Sequence, residues 1–280
     1  MKSPNPENSE AFDIARKYAD QQGADLIFGT DPDSDRIGVV VKTKKGEYKV
    51  LNGNQTGFLL CEFILRKSKE IGKLLPNSTI VKTVVTTDLV RPIAKDYDAI
   101  VEEVLTGFKF IGEKMTEYEA SGKQHFALGF EESYGYLTGT YARDKDAVVA
   151  AMLICEMAAD YKSKGMTLYD GLVAVGEKYG VSNTRTISKE YYGIEGAKKI
   201  DSILTSLRNE KMFDYVSKTD FLNDETGLPK SNVLKYIFED GWFAVRPSGT
   251  EPKIKYYFEI FSKDQNYVEK RINDILEKIN

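Results

Sequence analysis

His125-Phe126-Ala127-Leu128-Gly129-Phe130-Glu131-Glu132-Ser133-Tyr134-Gly135 joins a short apolar run to an acidic tip held between glycines. An apolar run of this length, bounded by turn residues, reads as a buried strand. Working outward, the next segment on each side is helical. Gly107 opens a helix that runs to about Glu119, and residues 144–163 carry Ala147, Val148, Val149, Ala150, Met152 and Leu153. Further upstream, Ala99 to Leu105 reads as a strand. Before it comes a helix from about Asp88, a plausible N-cap, and a β-branched run from Thr79 to Val85. Residues 54–72, with Phe58, Leu59, Cys61, Ile64 and Leu65, and residues 167–179 add two more helices. Strands alternating with helices predict a three-layer α/β domain with a largely parallel sheet.

The flanks have a different character. Residues 7–22 read as a helix stopped by Gly23, followed by a strand at Asp25 to Phe28. Ile37 to Val41 and Tyr48 to Leu51 then form a hairpin around Lys44-Lys45-Gly46. This opening is too small to be a domain and reads as the tail of one. After Gly180 come strands at 184–190, 214–221, 232–239 and 242–245, with helices at 193–209 and 264–279. Between the last two elements, Ile254, Tyr256, Phe258 and Ile260 alternate on one side of a half-buried strand. Antiparallel strands with helices on one face predict a separate α+β domain.

Composition excludes several classes. The chain has 280 residues, 41% hydrophobic and 29% charged, as in an ordinary globular protein. Its net charge is −4, so no nucleic-acid footprint is indicated. No apolar run approaches the ~18 residues of a membrane span, and residues 1–6 hold no signal-peptide core. The expected location is the cytoplasm, with Cys61 and Cys155 as two buried reduced thiols. Two isolated cysteines and the single histidine, His125, make an improbable metal site.

Three polar loops carry the chemistry. In Thr30-Asp31-Pro32-Asp33-Ser34-Asp35-Arg36, three carboxylates within five residues repel unless something positive sits among them. Asp31, Asp33 and Asp35 are hard oxygen ligands suited to Mg²⁺, and Arg36 can pair with a phosphate beside the metal. An EF-hand is excluded, because its required Gly and Glu positions hold Arg36 and Lys42. The bland alternative is a solvated acidic turn. Arg246-Pro247-Ser248-Gly249-Thr250 offers a guanidinium, two hydroxyls and a glycine that lets backbone N–H groups face an anion; the alternative is a surface turn. Glu131 and Ser133 can bind the hydroxyls of a polyol, or merely cap a helix. Arg143-Asp144-Lys145-Asp146 is either a solvated helix start or the setting for a lysine with a lowered pKa that shuttles a proton. Cation, hydroxyl and phosphate sites together point to a phosphosugar.

Taken in order, T-D-P-D-S-D-R, L-T-G-F-K-F-I-G, G-F-E-E-S-Y-G, R-D-K-D-A and R-P-S-G-T-E-P resemble the motifs of the α-D-phosphohexomutase family, in its phosphoglucomutase-like branch. The resemblance spans nearly the whole chain. It implies three related α/β domains and a TATA-binding-protein-like fourth. The mechanism it implies is that a phosphoserine passes its phosphoryl group to the sugar, a hexose 1,6-bisphosphate such as glucose 1,6-bisphosphate forms and reorients, and the serine is rephosphorylated. By matching position, Asp31, Asp33 and Asp35 would hold Mg²⁺, and Arg36 would sit near the transferring group. Thr106, Glu131 and Ser133, with Lys109 beside them, would bind the sugar. Lys145 would be the general acid/base, and Arg246, Ser248, Gly249 and Thr250 would grip the non-reacting phosphate.

One departure matters. The family's T-A-S-H-N-P nucleophile stretch has no counterpart; Ser3-Pro4-Asn5-Pro6 lacks its histidine and better matches the P-N-P-E that precedes the metal loop. The expectation is therefore a C-terminal portion, inactive alone, whose partners are a phosphosugar and the missing N-terminal domains of the same polypeptide. Residues 1–51 would end domain 2, residues 52–183 form domain 3 and residues 184–280 form domain 4. Rival readings are a phosphopentomutase or phosphomannomutase, a phosphatase with an aspartate nucleophile in the metal loop, and a non-catalytic sugar-phosphate-binding module.

Overall fold

The computed structural model describes residues 4–248 and 252–279. Ser3, Gly249 and Thr250, all singled out above, lie outside the described residues. The chain divides into two compact units, Met1–Tyr179 and Gly180–Asn280.

The first unit opens with a 3₁₀ turn, Ser9–Phe12, and helix α1, Asp13–Gln22. The expected single helix from residue 7 is thus broken. Phe12 is buried at the break, with its ring over two glycines of the sheet below. That sheet is antiparallel, with strands β1 (Leu26–Thr30), β2 (Ile37–Lys42) and β3 (Tyr48–Leu51) in order. Its two faces alternate, as the side-chain period of two requires. Ile27 and Val40 pack with Phe12, while Ile37, Val39 and Val41 join the large core shared with the following helices.

Helix α2 (Gly53–Glu70) starts in a capping box, in which Asn52 and Gln55 each accept the other's backbone N–H. Strand β4 (Ser78–Thr83), helix α3 (Val90–Asp96), strand β5 (Ile100–Val104), helix α4 (Phe108–Ser121) and strand β6 (His125–Phe130) follow. Next come a two-residue strand β7 (Tyr136–Leu137) and helices α5 (Ala147–Ser163) and α6 (Leu168–Tyr179). The sheet order is β5-β4-β6-β7; β4 is parallel to β5 and β6, and only β7 runs antiparallel. Ile80 faces the core made with α2, α3, α5 and α6, while its neighbour Val81 faces α4 through Ile111 and Met115. This gives the three layers expected.

Two local expectations are corrected. Asp88 does not cap α3, which starts two residues later behind Leu89. Its carboxylate lies 3.1 Å from the ammonium of Lys82, which is fully buried, and 2.8 Å from Arg91 Nε. A buried charge makes a stronger claim on a carboxylate than a backbone N–H that water can reach. The two thiols also differ: Cys61 is buried and its pKa is pushed up by burial, but Cys155 is exposed and borders a hollow with Leu26 and Met166.

The second unit is a five-stranded antiparallel sheet in the order β8-β12-β11-β10-β9. The strands are β8 (Ser182–Glu190), β9 (Ser217–Asp220), β10 (Leu234–Phe238), β11 (Gly241–Pro247) and β12 (Lys253–Phe261). Helices α7 (Gly193–Asn209) and α8 (Gln265–Ile279) pack on the face that carries Ile254, Tyr256, Phe258 and Ile260. Both domain types predicted from sequence are therefore present.

Candidate active site

Parallel sheets bind ligands beyond the carboxyl ends of their strands, where connections diverge. Here β4 connects to β5 on one side, and β5 connects back to β6 on the other side of β4. The loops after these strands, residues 84–89, 105–107 and 131–135, therefore meet at one end.

The acidic loop is built by an antiparallel return from β6 into β7. The Glu131 N–H donates to the Gly135 carbonyl at 3.0 Å. Tyr134 takes a left-handed φ of 69°, and its carbonyl accepts the Ile37 N–H at 3.0 Å. This bond ties the loop to the start of β2, next to the aspartates. Glu131 is 8% exposed, and its Oε1 accepts the Gly107 N–H at 2.9 Å. Gly107 holds φ at 121°, a region open to glycine and strained for other residues. Burial, helped by the charge of Glu132, pushes Glu131 up to about 7. Thr106 and Ser133 are half-buried alongside. Lys109 is exposed, with its ammonium 4.7 Å from the centre of the Phe110 ring, and borders an open hollow of about 730 Å³ with Arg143 and Asp144.

In the aspartate loop, Asp31 is buried, Asp33 exposed and Asp35 intermediate. Ligand oxygens of all three lie within 4.8 Å of one another. Three hard carboxylates gathered this closely are the donor type that a divalent cation takes. Positive partners do sit among them. Arg36 donates from Nε to Asp31 Oδ2 at 2.6 Å and from its backbone N–H to Oδ1 at 3.1 Å, and its Nη1 reaches Glu7 at 2.8 Å. Burial works to raise Asp31, but the Arg36 hydrogen bonds outweigh it and hold the carboxyl below its usual value. Asp35 moves the other way, because burial and the neighbouring Asp31 outweigh its bond to Lys145.

Lys145 closes the site. Its Nζ lies 2.8 Å from Asp35 Oδ2, and its aliphatic stem lies over Gly135, where a Cβ would come within 2.1 Å of it. The same segment is anchored by the Ala147 N–H, which donates to the Ser34 carbonyl at 3.0 Å. The expected lowering of the Lys145 pKa is corrected. Burial pulls it down, but the hydrogen bond to Asp35 and the charges of Asp144, Asp35 and Glu131 more than offset this, so it stands above the usual lysine value. Asp146 caps α5, with Oδ1 accepting the Val148 and Val149 N–H groups at 2.7 and 3.2 Å. The motif thus contains both the capping residue and the site lysine. Sequence reasoning missed Thr83 and Thr86, two buried hydroxyls beneath Glu132; their only signal is their spacing at the end of β4.

In the second unit, Arg246 sits on β11 opposite Lys255 of β12, and the Ser248 N–H donates to the Lys253 carbonyl at 2.7 Å. Arginine and two lysines thus crowd the end of one hairpin, as an anion site requires.

Models of one family match the chain in three consecutive pieces. They are phosphoglucomutase/phosphomannomutase alpha/beta/alpha domain II at residues 1–46, domain III at residues 52–179 and the C-terminal domain at residues 195–274. The chain belongs to the phosphoglucomutase/phosphomannomutase family. Among its relatives, a phosphoglucomutase of Staphylococcus epidermidis is 37% identical over 98% of this chain and 52% of its own length. One of Staphylococcus aureus is 35% identical over 99% and 52%. The chain thus spans about half the length of the curated relatives it matches. Among solved structures, the Paramecium phosphoglucomutase pp63/parafusin superposes with a TM-score of 0.72 at 19% identity, covering 99% of this chain and 50% of that one. The N-acetylphosphoglucosamine mutase of Aspergillus fumigatus, solved with GlcNAc-6P and magnesium, superposes at 0.52 and 16% identity over 95% and 53%. Such likenesses show a shared fold. No helix among the described residues is long and apolar enough to cross a membrane.

Proposed function

We propose that this chain carries the metal, sugar and phosphate sites of a cytoplasmic phosphoglucomutase-type enzyme, which interconverts hexose 1-phosphate and hexose 6-phosphate through a bisphosphate. The observation that carries the reading is the joining of the aspartate loop, Lys145 and the glutamate loop at one end of the parallel sheet. The relatives' name favours glucose phosphates as substrate.

In this reading, Asp31, Asp33 and Asp35 would hold Mg²⁺, which would supply charge neutralisation for a transferring phosphoryl group. Arg36 is held beside it by its hydrogen bonds to Asp31. Glu131, Ser133 and Thr106 orient the sugar hydroxyls, with Lys109 at the rim. Lys145, protonated at neutral pH, gives its proton to the sugar oxygen released when the bisphosphate returns a phosphoryl group to the serine, and takes one back from the sugar hydroxyl that attacks the phosphoserine. Arg246, Ser248, Gly249 and Thr250 hold the other phosphate. Positioning and charge neutralisation are what phosphoryl transfer asks of a protein. Residues 1–51 act as the end of domain 2, 52–183 as domain 3 and 184–280 as domain 4. The phosphoryl-carrying serine is supplied from outside these residues.

Two measurements test this. Glucose 6-phosphate titrated by calorimetry should bind the chain, and Glu131→Ala should weaken it at least tenfold; equal binding by both proteins would remove the sugar role. A ³¹P NMR time course with Mg²⁺, glucose 1-phosphate and a trace of glucose 1,6-bisphosphate should show no glucose 6-phosphate from the chain alone. Conversion above a chelated control would mean that it contains its own phosphoryl acceptor.

A further inference from the structure

Adjacent glutamates at one loop tip repel, yet Glu131 and Glu132 are held apart by different partners. Glu131 turns to the Gly107 N–H behind β5. Glu132 turns to the end of β4, where its Oε2 lies 3.1 Å from Thr86 Oγ1 and 3.3 Å from Thr83 Oγ1. Both threonines are fully buried, and their hydroxyls stand 2.7 Å from each other. One hydroxyl can donate to the other, which leaves one buried O–H to donate to Glu132 Oε2. What the contact does is fasten the loop. The Glu132 main chain is braced from behind as well: a Cβ on Gly53, at the capped start of α2, would come within 2.1 Å of the Glu132 carbonyl oxygen.

We propose that Glu132 is a positioning residue, whose carboxylate clamps the 131–135 loop onto Thr83 and Thr86 and so holds Glu131 against Gly107 in the orientation that meets a sugar hydroxyl. This rests on the reading of Glu131 as a sugar-binding side chain. Two neighbouring carboxylates then bind the loops after all three parallel strands into one rigid platform. A charge-assisted contact between the loop and the end of β4 resists rotation of the Glu131 side chain in a way that the apolar packing of Phe130 does not.

The test uses the 280-residue chain with Glu132→Ala, Glu132→Gln and Thr86→Val. Glutamine keeps an oxygen that accepts from the threonine hydroxyls, so it is the rescue variant. Amide exchange at Gly107, measured by NMR without ligand, reads the hold of Glu131 directly. Calorimetry with glucose 6-phosphate reads the consequence. The expected result is faster Gly107 exchange and at least tenfold weaker binding for Glu132→Ala and Thr86→Val, with Glu132→Gln within threefold of wild type. Unchanged exchange overturns the clamp. Faster exchange with unchanged affinity overturns the positioning role and leaves a structural tie. If wild type itself does not bind glucose 6-phosphate, the functional reading fails, and the exchange result alone decides the clamp. Should Glu132→Ala not fold, Thr86→Val and Glu132→Gln decide in the same terms.

Discussion

Glu131 is the residue with the largest consequence for pH. Its carboxyl rises from 4.5 to about 7, first through burial and then through the charge of Glu132. Between those values the folded protein keeps a proton that the unfolded chain has released. Stability therefore falls as pH rises through that window, and the full cost is present above pH 7. A shift of this size corresponds to about 3 kcal/mol. Glu131→Gln should raise stability by that order at pH 8 and flatten the slope between pH 5 and 7, read by urea unfolding at each pH; a slope equal to wild type would show that Glu131 is ionised throughout. The Lys145–Asp35 pair makes a second prediction. A divalent cation at the aspartates competes with the ammonium 2.8 Å from Asp35 Oδ2. Lys145→Met should therefore tighten Mg²⁺ binding to the chain, roughly tenfold for about 1.4 kcal/mol of lost competition. Calorimetry with Mg²⁺ alone measures this, and weaker binding in the variant would show that Lys145 supports the metal site.

At the scale of elements, the loops are aimed by how closely helices approach the strands. Helix α2 lies against β6 at Gly57, where a Cβ would come within 2.1 Å of the Phe130 ring. Phe130 is fully buried and immediately precedes Glu131. Gly57→Ala should cost about 1–3 kcal/mol by overpacking. It should also weaken glucose 6-phosphate binding, because the ring can yield only by shifting the strand end. Denaturant titration and calorimetry separate the two effects, and a loss of stability without a change in affinity would mean that the loop moves independently of β6. Helix periodicity and strand patterning made these elements legible in sequence, including the exact span of α7. Element ends were less legible. Asp88 has the chemistry of an N-cap, but a buried lysine from the neighbouring strand takes it. The short β7 is too brief to leave a period.

At the scale of the molecule, the two units carry separate cores, and the second holds the only tryptophan. Trp242 is 2% exposed and donates from Nε1 to the buried Glu259 at 2.6 Å. Residues 180–280 expressed alone should fold, with blue-shifted tryptophan fluorescence and a cooperative urea transition. Red-shifted emission in buffer would show that this core needs the rest of the chain. Sequence by itself determined the order of strands and helices, the two domain types and the residues of each polar loop, because side-chain periodicity and turn chemistry are local properties. Tertiary structure alone decided that Lys145 pairs with Asp35 and stays protonated, that Cys155 is exposed, and that Glu132 meets Thr83 and Thr86. Those outcomes depend on electrostatic and hydrogen-bond contacts between residues far apart in the chain, and on which face of a helix finds a partner, neither of which a local pattern encodes.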